Sequence, residues 1–194
     1  MSTADVTDSA STLRLLIPVM ALFEQPTKFL LSEGLSKRPM EPYNAIFPDA
    51  LSKDEAGNLH VKASLDSGHH TIDGQYSSQF VSGMLFALPL LKEDSFLEIT
   101  NPSSLPYINM TIEVLNHYGI TIEKADKGYK IPGNQKFKSK DIKIEGDFSQ
   151  ASLFMVAGLK HRRISVTPLE EKSLQGDRTM IPIIKRSGGT LEFK

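Results

Sequence analysis

Three short segments rich in hydroxyl side chains stand at the head of apolar runs: Asp8-Ser9-Ala10-Ser11-Thr12, Ser77-Ser78-Gln79 and Asp147-Phe148-Ser149-Gln150-Ala151-Ser152. If each run is a helix, its first N–H groups lack partners within the helix and its dipole is positive at that end. Phosphate or carboxylate would be held there, with the serine hydroxyls as extra donors. Ordinary capping explains the same serines, because Ser and Asp are the commonest N-caps. Arginine supplies the further signal. Arg14 lies inside the first apolar run, and Arg38 directly precedes Pro39, whose fixed backbone would aim a guanidinium fork at a carboxylate or phosphate. A lone arginine is usually a solvated surface residue. Two sets of anion-binding groups in one chain point instead to a small ligand carrying several negative charges.

Other candidates offer less. His69 and His70 are adjacent, so on a strand they face opposite sides and cannot chelate one metal ion; no metal site is expected. Lys136, Lys138 and Lys140 alternate, which suits one solvated face of an extended segment. Lys160-His161-Arg162-Arg163 follows an apolar run and complements a helix C-terminus. The chain has no phosphate loop, dinucleotide glycine fingerprint or nucleophile elbow.

The elements that must position these groups follow from periodicity and punctuation. The spacing predicts a helix over 9–23, with Asp8, Ser9 and Ser11 as candidate caps. A strand over 28–32 follows, then a loop, a helix over 39–46 opened by Pro39, and strands over 59–63 and 70–73. The pattern recurs as a helix over 77–91, a strand over 96–99, a proline-started helix over 106–118 and strands over 120–122 and 129–131. A third round begins with a helix over 149–159, a strand over 164–167, a helix over 178–185 and a strand over 190–193. The helix-opening serines stand at 9, 77 and 149, spaced by about 70 residues, so three copies of one supersecondary unit are the economical reading.

The fold class expected is α/β (α+β), with repeated βαβαββ-type units, buried helices and outer sheets. The run over 77–91 is too apolar on all sides to lie on a surface. The polar, lysine-rich stretch over 133–140 reads as a linker or hairpin. Residues 1–144 are expected to form most of one lobe and 145–194 to begin a second.

Composition narrows the function classes. Among 194 residues, 22 Lys and Arg face 23 Asp and Glu, for a formal charge of -1. That balance makes no broad field for nucleic acid or anionic lipid, so an anion must be held locally. The chain has no cysteine, which excludes a disulfide scaffold, a thiolate zinc site and a cysteine nucleophile. The most apolar run, over 15–23, is too short to span a membrane and contains Pro18. The first eight residues carry no Lys or Arg, unlike a secretory signal. A cytoplasmic location is expected.

Several motifs in order resemble a known family. They are Ser77-Ser78-Gln79-Phe80, then Ser104-Leu105-Pro106-Tyr107-Ile108, then Glu145-Gly146-Asp147 with Ser149, Ala151 and Ser152, then Gln175-Gly176-Asp177. With the opening Asp8-Ser9-Ala10-Ser11-Thr12-Leu13-Arg14 and Lys37-Arg38-Pro39, the chain resembles the 3-phosphoshikimate 1-carboxyvinyltransferase (EPSP synthase) family over nearly its whole length. The related enolpyruvyl transferase of peptidoglycan synthesis shares the fold, but the Ser-Ser-Gln-Phe run points away from it. The resemblance implies an enolpyruvyl transferase-like fold and a transferase of the shikimate pathway of aromatic amino acid biosynthesis. Such enzymes move the enolpyruvyl group of phosphoenolpyruvate to shikimate 3-phosphate, with no metal or organic cofactor. It implies that Ser77, Ser78 and Ser104 bind the shikimate 3-phosphate, that Gln79 reaches both ligands and that Tyr107 lines the shikimate side. Arg38 would clamp phosphoenolpyruvate beside a wall formed by Ala10 and Ser11, with Arg14 and Asp147 as further cleft residues.

Two departures and several missing parts qualify the match. Ala10 replaces the family's usual glycine, and its methyl group in a packed pocket should lower sensitivity to the bulkier analogue glyphosate. Leu105 stands where lysine is common, removing a charge near the phosphate. The family's chain is about twice as long, and its opening Lys-Ser motif and its acid/base carboxylates have no counterpart here. The chain is therefore expected to be an internal fragment without turnover of its own, associating with itself through apolar faces left uncovered. The competing reading is a short non-catalytic module that binds an anionic metabolite or a partner through the same helix ends.

Overall fold

The computed structural model describes residues 1–160 and 163–193. The chain divides into two units, residues 1–139 and 140–194, and each is described by itself.

The first unit contains one topology twice. Strand β1 (Ser2–Thr7) leads into helix α1 (Ala10–Leu22) and returns as β2 (Thr27–Leu31). Helices α2 (Glu33–Ser36) and α3 (Glu41–Ile46) then precede a hairpin of β3 (Leu51–Lys53) and β4 (Leu59–Val61). Next come β5 (His69–Asp73), α4 (Ser78–Ala87), β6 (Ser95–Thr100), α5 (Leu105–His117) and a hairpin of β7 (Glu123–Ala125) and β8 (Gly128–Ile131). The two sheets have the same order, β1-β2-β4-β3 and β5-β6-β8-β7. In each, the first pair is parallel and joined through a crossover helix, as parallel pairing requires, and the hairpin closes the sheet antiparallel.

Helices α1 and α4 are the most buried, and α4 also packs against α5. In α4, Phe80, Val81, Met84, Leu85 and Ala87 are all fully covered, as its composition predicts. Helix α1 turns Leu13, Ile17, Pro18 and Ala21 inward, on the spacing of a helical face, and packs against α4. Gly83 permits this contact. A Cβ there would stand 2.2 Å from the Tyr43 hydroxyl and 2.6 Å from the Arg14 carbonyl oxygen. Ser9 caps α1 by accepting from the Thr12 N–H at 3.2 Å, and Ser77 caps α4 by accepting from the Gln79 N–H at 3.3 Å. The apolar run over 77–91 stays α-helical only to Ala87. Residues Leu88–Leu90 tighten into a 3-10 turn at Pro89, which lacks an N–H to continue the ladder.

One polar clip joins the first sheet to its hairpin turn. Asp54 accepts from Lys28 Nζ at 2.8 Å and from Asn58 N at 2.9 Å, and lies 3.2 Å from His60 Nε2. Lys28 and then these further partners hold the Asp54 carboxyl well below the usual carboxylate range, against a smaller opposing effect of burial. A depressed pKa contributes stability that is present above the unfolded value and lost as pH falls through the folded one. Asp54→Asn should therefore lower stability at neutral pH and flatten the pH dependence below about pH 4. Urea titrations at a series of acidic pH values check this; parallel curves for the two proteins would contradict it.

In the second unit, α6 (Phe148–Lys160) packs against α7 (Met180–Arg186) and the 3-10 turn Gly176–Thr179, with Phe148, Ala151, Ile181 and Ile184 buried. The Gly146 N–H donates to the Pro168 carbonyl at 2.5 Å. Residues 164–167 and 190–193, expected as strands, carry no strand structure. Leu153, Phe154, Val156 and Leu159 of α6 are exposed, so apolar composition does not bury this helix as it buries α4. Three further corrections concern the first unit. The strand expected over 120–122 lies at β7 instead, while Ile120 is buried without joining the sheet. Strands β1 and β3 and helix α2 were not expected, because Ser2–Thr7 buries only Val6 and the other two are a single turn or less of polar chain. The helix expected from Pro39 begins at Glu41, with Pro42 in its first turn.

Candidate anion-binding site

Both repeats bring their hydroxyl-rich segments to the carboxyl ends of their parallel strands, the edge where parallel α/β sheets commonly bind ligands. At the first, Ser32 N–H donates to the Thr7 carbonyl and Ser32 Oγ bonds to Asp8, holding the loop that opens α1. Ala10 is half-buried at the first position of α1. Ser11 is exposed, with its Oγ 3.3 Å from Ser9 Oγ. At the second, the Gly74 N–H donates to Thr100 O at 2.8 Å, Ser103 Oγ to Gly74 O at 2.5 Å and Asn101 Nδ2 to Asp73 Oδ1 at 3.3 Å. These bonds tie the loop carrying Ser104 to the loop that enters α4. Ser104 adopts φ 53° and ψ 39°, a left-handed conformation uncommon for serine, immediately before α5. Its carbonyl accepts from the Tyr107 N–H at 3.0 Å, and both residues are exposed. Ser78 is buried, while Ser77 and Gln79 are half-buried.

Arg14 connects the two edges. It is only 7 % exposed, and its Cζ lies 4.5 Å from the centre of the Phe80 ring. Nη1 donates to Gln79 Oε1 at 3.0 Å, and Nη2 points to the Pro39 carbonyl at 3.5 Å, at the edge of hydrogen-bond range. Beneath it, Tyr43 Oη lies 2.6 Å from Arg14 O and 3.1 Å from Phe80 O, donating its one proton between two helix carbonyls. Burial raises the Tyr43 hydroxyl well above its ordinary value, against a smaller opposing effect from Arg14, so it remains neutral. Burial first, and then the neighbouring charge of Arg38, lowers the Arg14 pKa. Arg38 itself is exposed, two residues beyond α2. Among the described residues, neither arginine forms an ion pair with a carboxylate. The charges of these two guanidinium groups act on each other, and one of them is buried.

Arg14, Gln79 and Arg38 thus share one region. Ser77 joins it through its cap on the Gln79 N–H, and the Ser104 loop through its bonds to the segment preceding Ser77. Two open clefts flank or lie apart from this region. A cleft of about 300 Å³ opens beside Arg38, between Lys37, Glu41, Asn44 and Lys53, but Gln79 and Ser77 do not line it. A shallower one of about 620 Å³ lies over the second sheet, where His69 Nε2 is 3.0 Å from Glu98, and it includes none of the expected site residues. His70 turns to the Asp66 carbonyl instead.

Asp147 lies in the second unit. Its Oδ1 accepts from the Ser149 N–H at 2.6 Å and lies 3.4 Å from the Gln150 nitrogen, so the cap of α6 is Asp147 rather than Ser149. Ser149 bonds to the Asp177 side chain instead. His161 and Arg162 of the basic cluster lie outside the described residues. Phe80 and Tyr43, which hold Arg14 from below, were not anticipated as site residues. Phe80 stood in a recognisable run, but nothing in the sequence pairs it with a residue so far away.

A unit with two sheets of the same strand order, each with a parallel pair joined through a helix and closed by an antiparallel hairpin, has the enolpyruvyl transferase-type fold. EPSP synthase from Acinetobacter baumannii superimposes with a TM-score of 0.65 at 20% identity, covering 81% of this chain and 36% of that one. The family model for EPSP synthase (3-phosphoshikimate 1-carboxyvinyltransferase) matches residues 2–194, and the chain belongs to that family. A 3-phosphoshikimate 1-carboxyvinyltransferase from Clostridium acetobutylicum is 41% identical over 98% of this chain, and one from Clostridium perfringens 37% identical over 96%. The chain spans about half the length of the curated relatives it matches, 46% in both of these. Among the described residues, no helix is long and apolar enough to cross a membrane.

Proposed function

We propose that this chain supplies a substrate-binding wall of a 3-phosphoshikimate 1-carboxyvinyltransferase. Ser77, Ser78, Gln79, Ser104 and Tyr107 receive shikimate 3-phosphate, and Arg38 with the Ala10-Ser11 turn receives phosphoenolpyruvate. The observation that carries this reading is the buried Arg14 beside Arg38, which no carboxylate neutralises among the described residues. Such a pair is costly without an anion, and each of these substrates is one. The hydroxyl and amide groups here bind and orient. None is a group suited to moving a proton at neutral pH, so addition and elimination draw on other parts of the full-length enzyme. The reading as a short non-catalytic module gains no support from a family match over nearly the whole chain.

Titration of isotope-labelled protein with shikimate 3-phosphate should shift the backbone amides of Ser77, Ser78 and Ser104, whereas shikimate without the phosphate should move them far less. Amides that stay in place at millimolar shikimate 3-phosphate would refute the assignment.

A further inference from the structure

Arg14 is the one charged side chain of the first unit that is both buried and bonded across the α1–α4 contact. Its guanidinium is committed to the protein. One face covers the Phe80 ring, Nη1 holds Gln79 Oε1 at 3.0 Å, and Nη2 faces the Pro39 carbonyl. A carboxamide is ambivalent, because its oxygen accepts and its nitrogen donates, and rotation by half a turn exchanges them. Arg14 has only donors, so it selects the orientation with Oε1 inward. Gln79 Nε2 then lies on the far side of the amide carbon and has no acceptor among the described residues, although Gln79 is half-buried.

We propose that Arg14 is a positioning residue that acts through Gln79: by holding Oε1, it presents the two Nε2 protons to the anion and keeps the repulsive oxygen away from it. The proposal rests on the substrate reading above for the identity of that anion, but the orientation of the amide does not depend on it. It also assigns different work to the two arginines. Arg38 faces solvent and is free to meet a ligand, while Arg14 contributes through a neighbour. Arginine suits the task better than lysine, because its planar fork can hold an amide oxygen while stacked on a ring.

Two measurements on the 194-residue chain test this. The first needs no ligand. The side-chain carbonyl carbon resonance of Gln79 reports whether Oε1 accepts a hydrogen bond. It should move on Arg14→Met, which keeps most of the buried volume, and return toward its original position on Arg14→Lys, which restores a donor. The second is a double-mutant cycle on shikimate 3-phosphate affinity. Arg14→Met should weaken binding ~10-fold in the native background and less than ~2-fold when Gln79 is already Ala, because the group it acts through is gone. Equal losses in both backgrounds, or an unmoved Gln79 resonance, would overturn the proposal. They would show instead that Arg14 acts on the ligand by its field alone. If the native chain does not bind shikimate 3-phosphate, the substrate reading fails, and the resonance alone decides the role of Arg14.

Discussion

Gly83→Ala is expected to cost about 3 kcal/mol or more, enough to unfold a marginal lobe. Alanine is the better helix former by ~1 kcal/mol, so propensity alone predicts a gain. The surroundings reverse the sign. The new methyl would meet the Tyr43 hydroxyl at 2.2 Å, the Arg14 carbonyl oxygen at 2.6 Å and Pro18 Cγ at 3.3 Å. Two of these belong to the backbone or a ring of α1, so relief requires separating α1 from α4, and the third is the donor that serves both helix carbonyls. Overpacking typically costs ~1–3 kcal/mol, and stranding a buried hydroxyl or its acceptor adds ~1–3. Tyr43→Phe removes the nearest of the three obstacles. Combined with Gly83→Ala it should cost less than the sum of the single changes, since both act at one contact. Urea denaturation of the four proteins tests the cycle. A Gly83→Ala protein as stable as the native one would show that α1 and α4 are not in such close contact.

The second large effect is expected at Phe80. Its ring is fully buried, packs edge-on against Tyr43 at 4.9 Å and supports the Arg14 guanidinium. Phe80→Ala should lose ~3–5 kcal/mol of stability through the cavity and the lost aromatic contact. Phe80→Met separates support from packing. Most of the volume remains, so the stability loss should stay near ~1–2 kcal/mol, while the cation–π contact that holds Arg14 in place is gone. Shikimate 3-phosphate affinity should therefore fall in a protein whose denaturation midpoint is only modestly lowered. If affinity follows stability in both variants, with no separate loss in Phe80→Met, the ring is packing only.

The fold was legible where the signal was local or repeated. The Ser77 cap, Ser9 among the three candidate caps of α1, and the burial of the largely apolar α4 could be read directly, because capping and burial leave marks within a few residues. The serine spacing predicted three copies of the unit; two are formed, and the third has its helices without the expected strands. Strand membership was less legible. Glu123–Ala125 is a strand only because it pairs with β8, and its two charged residues are exposed; the apolar Ile120 beside it is buried yet outside the ladder. Apolar character reports burial, whereas a ladder needs a partner. At α6 the cap fell to Asp147, two residues before the serine expected, since either short polar side chain can reach the same N–H groups. Within the candidate site, the resemblance implied a common cleft for Arg14, Gln79 and Arg38, but the contact of Arg14 with Gln79 could not be read. The bond from Arg14 to Gln79 spans 65 positions of sequence and exists only because α1 crosses α4 at a glycine.

The pair of guanidinium groups without a carboxylate has a practical consequence for anyone handling the purified protein. Under the substrate reading proposed above, phosphate or sulfate in the buffer would bind beside Arg38 in the native state alone and stabilise it by mass action, by ~2.7 kcal/mol at a concentration one hundred times the dissociation constant, so that the melting temperature rises. A thermal scan in phosphate would thus describe the chain together with its salt. The same scan in a zwitterionic buffer at matched ionic strength would describe the chain by itself, and the gap between the two would gauge how strongly that site favours a doubly charged oxyanion.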